Sequence, residues 1–149
     1  MPHGIFLMYR LSTKYIRRCF VLDTGYFLTA IIGTVASFAL GCIWYSLIWG
    51  KVWQKEMGFS DDDIKKIFVP KRIFLAFFSE WMATFCLVGI LLNLPILMLY
   101  KLLMLASVII FSSVKLAVFD GKNWKIILIN QGYNLLSLLI IAGLSLIFI

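Results

Sequence analysis

YFLTAIIGTVASFALGCIWYSLIW, residues 26–49, runs for 24 residues without a charged side chain. An α-helix rises about 1.5 Å per residue and the hydrocarbon of a bilayer is about 30 Å thick, so about 20 apolar residues cross it. This stretch is long enough. Residues 73–92 repeat the pattern with one charge, Glu80. Residues 96–119 carry two, Lys101 and Lys115, and residues 126–149 carry none. The four runs predict an all-α integral membrane protein, a four-helix bundle made of two helical hairpins.

Composition agrees. Of 149 residues, 62% are hydrophobic and 14% charged, with a mean hydropathy of +0.98. A soluble domain is nearer half apolar and a quarter charged. Too little polar surface is present to cover a water-soluble globule. The net charge is +7, yet no basic stripe stands apart from the spans, which argues against nucleic acid. Basic residues beside spans meet anionic lipid or fix topology, so the bilayer is the expected partner. Cys19, Cys42 and Cys86 are odd in number and widely spaced, and read as small apolar fillers. His3 is the only histidine. No metal site, cofactor or catalytic residue is expected, and the chain does not read as an enzyme.

The first run ends among rings. Trp and Tyr favour the membrane interface, with the ring in the acyl boundary and the polar atom toward water. Trp44, Tyr45, Trp49, Lys51, Trp53 and Trp124 are therefore expected as interface anchors. The first 25 residues place Arg10, Lys14, Arg17 and Arg18 on one helical face. They read as a basic amphipathic segment on the membrane surface rather than a cleaved signal. A transit peptide is the less favoured alternative.

Between the first two runs, Ser60 followed by Asp61, Asp62 and Asp63 has the form of a capped helix start. Pro70 then disfavours helix at Val69. Asn93-Leu94-Pro95 is a tight connection in which Asn93 can cap and Pro95 suits a first helical turn. Lys101 would snorkel from the third span. Gly50-Lys51-Val52-Trp53 and Gly121-Lys122-Asn123-Trp124 share three of four residues. Two related hairpins, or shared interface chemistry, would account for that.

Two stretches are familiar together. One is Ser37 to Ser46 with Gly50-Lys51-Val52-Trp53 and Met57-Gly58-Phe59-Ser60. The other is Asp120 to Lys125 with Ile129-Asn130-Gln131-Gly132-Tyr133. In this order they resemble the domain of unknown function 1761 family of small, mainly bacterial membrane proteins. The resemblance covers about residues 28–149. It implies a four-helix fold in a bacterial cytoplasmic membrane, and it implies no activity. The family form often has proline after Trp-Tyr-Ser, where this chain has Leu47.

Polar groups inside hydrocarbon are costly and need partners. Alternating spans put the first and third loops on one side. Counting at about 1.5 Å per residue, Glu80 lies about 10 Å deep, Lys115 and Asn130 about 6 Å, and Asn134 about 12 Å. With Gln131, these form one polar layer in one leaflet. Glu80 and Lys115 are expected to neutralise each other. Otherwise a protonated Glu80 would bond Asn134. Gly33, Ser37 and Gly41 make a small-residue ladder suited to close helix packing, within the chain or between copies in a homo-oligomer. The expected function is a structural or partner-binding membrane component. The alternative is an oligomeric transporter of ions or small molecules using Glu80. The first and third loops hold eight Lys and Arg against five on the other side, which places those loops in the cytoplasm.

Overall fold

The computed structural model describes residues 24–148. The basic segment expected over residues 1–25 lies outside them except for Thr24 and Gly25, which open the first helix. All regular structure among the described residues is helical, and four helices are long and apolar enough to cross a membrane. Helix α1 is Thr24–Ile43, continued by a wider π turn, Trp44–Ile48. Two short helices fill the first loop, α2 Gly50–Glu56 and α3 Asp61–Ile67. Then come α4 Pro70–Asn93, α5 Met98–Phe119 and α6 Trp124–Ile147.

The chain belongs to the membrane by this architecture, as a multi-pass protein. Helix α1 is the centre of the bundle, packed along both α4 and α6. Helix α5 lies outside, mainly against α6, and touches α4 lightly. The two expected hairpins, α1–α4 and α5–α6, are thus joined through α1 and α6. Small residues permit this. A Cβ added at Gly33 would sit 3.2 Å from Thr84 Cγ2 and 3.5 Å from Ile141 Cγ1. One added at Gly41 would meet Tyr133 at 3.2 Å, and Ser37 is fully buried. The ladder therefore serves packing inside one chain.

The tightest apolar packing lies toward the end far from the first and third loops. Tyr26, Ala30, Val88, Leu91, Ile141 and Ala142 form a buried core there. Tyr26 also ties α1 to α4, donating from its hydroxyl to the Phe85 carbonyl at 2.6 Å. Lys101 does not snorkel as expected. It is buried, and its ammonium donates to the Leu91 carbonyl near the end of α4. The last carbonyls of a helix lack intrahelical partners and carry partial negative charge, so a cation there is well placed. Pro95 is not in a first turn either. Helix α5 begins three residues later, at Met98, and Asn93 closes α4 by donating to Gly89 at 3.0 Å.

The other end is capped as its residues require. Ser60 Oγ accepts from the Asp63 backbone N–H at 3.2 Å, while Asp63 accepts from the Ser60 N–H at 3.0 Å. The Ser60 hydroxyl and then the Ser60 backbone N–H, both donating to it, hold the Asp63 carboxyl below the usual aspartate range. Val69 is extended and Pro70 opens α4. Gly58 and Gly121, at φ +69° and +64°, end α2 and α5 in left-handed turns that other residues adopt poorly. Gly50 instead sits at the start of α2, where a Cβ would fall 2.9 Å from the Tyr45 carbonyl oxygen. The two Gly-Lys-x-Trp pieces therefore take different conformations, which favours shared interface chemistry over a structural repeat.

Candidate functional site

The π turn turns two rings inward. Trp44 donates from its indole N–H to the Ile129 carbonyl at 2.9 Å. Its ring lies over Gly132, where an added Cβ would be 2.9 Å from Trp44 Cζ2. Tyr45 donates to Asn130 Oδ1 at 3.0 Å. Both bonds bind the end of α1 to α6. The turn forms with Leu47 where the family form often has proline. Wider turns of this kind often occur at functional sites.

From Tyr45 the rings continue in two directions. Tyr133 is 5.5 Å away, centroid to centroid, and Trp53 is 5.9 Å away. Trp53 in turn meets Phe59 at 5.7 Å. Trp53, Tyr45 and Trp44, expected as interface anchors, are half-buried and pack against protein. Their polar atoms find helix α6 sooner than water in two cases. Trp49, Lys51 and Trp124 are exposed.

Tyr45, Trp53 and Tyr133 border a cavity of about 860 Å³ between the transmembrane helices, at the end of the first and third loops. Glu80, Asn130, Gln131 and Asn134 all line it. Glu80 is half-buried near the middle of α4. Its carboxylate accepts from the Tyr133 hydroxyl at 3.2 Å. The same hydroxyl lies 3.3 Å from the Ser37 carbonyl, so one proton serves two acceptors. Asn134 has no side-chain partner among the described residues. Gln131 is buried, with its side-chain oxygen unpartnered.

Lys115 does not join them. Among the described residues it makes no ion pair, and it is exposed on the outer side of α5. Ser113 and Ala117 line the cavity; Lys115 lies two residues from each, about 200° round the helix. The expected Glu80–Lys115 pair is therefore absent, and so is the alternative bond from Glu80 to Asn134. Tyr133 takes that place, a residue the sequence reading passed over. Its signal was its position, three residues after Asn130 on the same helical face. Arg72, at the start of α4, also lines the cavity.

The first loop is fastened over this end. Glu56 accepts from Lys125 Nζ at 2.8 Å and from Asn123 Nδ2 at 2.6 Å. The Lys125 ammonium, helped by the Asn123 amide, holds the Glu56 carboxyl below the usual glutamate range. This clasp sets α2 against the start of α6, so Trp53 and Met57 border the cavity. Helix α3 adds Ile67. Among the described residues no three His, Cys, Asp or Glu side chains converge as a metal site requires.

A family model with the description "Protein of unknown function (DUF1761)" matches residues 28–146. The chain belongs to this family. The DUF1761 match takes in the π turn, the loop clasp and every polar residue of the cavity. No curated protein and no solved structure matches the chain.

Proposed function

We propose that this protein binds a small, largely apolar molecule in the cavity at the first- and third-loop end, within a bacterial cytoplasmic membrane. One observation carries the reading: a cavity walled by rings in which polar side chains at membrane depth lack full partners. An unpaired amide and a carboxylate with one shared donor are costly in hydrocarbon. A bound molecule with a polar group, seated in an apolar wall, would offset that cost. The cavity volume of about 860 Å³ falls within the roughly 300–1,000 Å³ of small-molecule sites.

The reading needs one chain only, because the small-residue ladder is used internally, and it assigns no reaction. Transport through Glu80 would draw on the same cavity, and proton or dye flux in liposomes tests it separately. A structural or partner-binding role is what remains if nothing small binds.

Binding is measured with the full chain in lipid nanodiscs and N-phenylnaphthylamine, a neutral apolar dye that accepts energy from tryptophan. Trp53 borders the cavity, so bound dye quenches its emission. Saturable quenching is expected, above that in nanodiscs holding an Ala76→Phe variant, whose ring would enter the cavity. Equal, non-saturating quenching in both would leave only partition into lipid and remove the proposal.

A further inference from the structure

Two acids, Glu80 and Asp120, and two bases, Arg72 and Lys122, line the cavity, and no base pairs with Glu80 among the described residues. We infer that its ligand is an organic cation with an apolar body, held against Glu80. This rests on the binding reading above and names the class of molecule bound. A carboxylate offers about four acceptor positions, and among the described residues one neutral hydroxyl at 3.2 Å is its only donor, itself within reach of a second acceptor at 3.3 Å. No Lys or Arg makes an ion pair with Glu80 among the described residues. The base predicted for it, Lys115, points away.

The other charges of the cavity do not supply the missing partner. Asp120 is paired with Lys122 at 3.1 Å. Arg72 precedes Glu80 by eight residues on α4, about 12 Å along the axis. It is exposed near the membrane surface, where solvent and salt screen it. An acid is therefore left inside and a base at the mouth.

The wall suits the same ligand. Phe38, Tyr45, Trp53 and Tyr133 border the space, and ring faces attract cations when water is excluded. A bare divalent ion fits poorly. Calcium takes about six to eight oxygen ligands, and the acids that line the space are Glu80 and an already paired Asp120. An organic cation needs one counter-charge and an apolar enclosure, and this cavity provides both.

Tetraphenylphosphonium and tetraphenylborate have nearly the same shape and opposite charge, and triphenylphosphine oxide is a neutral relative. Each is titrated against bound N-phenylnaphthylamine in nanodiscs of phosphatidylcholine, with partition corrected from empty discs. The cation should displace the dye at a concentration about tenfold or more below the other two, the ratio expected for a charge-assisted contact. Glu80→Gln should abolish that preference and Glu80→Asp should retain it. Equal displacement by all three on the wild-type protein overturns the inference without any variant. So does a preference that survives Glu80→Gln. In both cases saturable dye binding would leave the binding reading standing, whereas absence of dye binding removes both.

Discussion

Gly132 has no room for a side chain, because the Trp44 ring occupies the space a Cβ would take. Gly132→Ala should cost about 1–3 kcal/mol, the range for overpacking a fitted site. Thermal unfolding in detergent measures it, and adding Trp44→Phe should recover part of the loss. A neutral Gly132→Ala would mean the ring lies elsewhere. At Glu80 the expected outcome concerns coupling. A double-mutant cycle between Glu80→Gln and Lys115→Met should give less than about 0.5 kcal/mol, the scatter of independent sites. A larger value would restore the ion pair that the geometry excludes. That Glu80, Asn130 and Asn134 come together was legible in the sequence, because helical rise is fixed and they line one cavity. Which way Lys115 faces was not, because rotation about the helix axis is set by packing that no single span encodes. Tyr133 was missed for a different reason. Tyrosine carries no large cost in a membrane, so a search for costly groups passes over it.

Elements were easier to read than their contacts. Apolar length revealed the four spans, and Ser60 and Pro70 marked helix starts that the structure contains. The π turn had no such marker, since Leu47 neither breaks a helix nor widens it. The clasp of α2 onto α6 joins Glu56 to Lys125 across 69 positions, and local pattern is silent at that distance. Its pH dependence follows from sign. The folded state lowers the Glu56 pKa below the usual 4.5. The clasp therefore stabilises fully above that value and is lost as pH falls through the lowered one. Between about pH 6 and pH 3, the melting temperature of the wild-type chain should fall more steeply than that of Glu56→Gln. Parallel curves would show that the clasp contributes nothing to stability.

At the scale of the molecule, the bundle divides its work between two ends. One holds the buried apolar core and the Lys101 cap on α4, and the other holds rings, polar groups and the cavity. Charge should set which end faces the cytoplasm. Eight Lys and Arg lie at the first and third loops, and among the described residues the far end holds one, Lys101, so the cavity end should face inward. In intact cells, an Asp62→Cys variant free of other cysteines should resist an impermeant maleimide until the membrane is opened. Labelling before that would reverse the topology. Polar space reaches into the bundle from this end, and the native thiols report on it directly. Cys42 lines the cavity, whereas Cys86 is exposed on α4 away from it. Thiols react as thiolates, which form where water reaches. In opened membranes, chains retaining only Cys42 or only Cys86 are treated with a charged, water-soluble methanethiosulfonate. Cys42 should react much faster than Cys86, and Ala76→Phe should slow it. A Cys42 as inert as Cys86 would contradict polar space at this end.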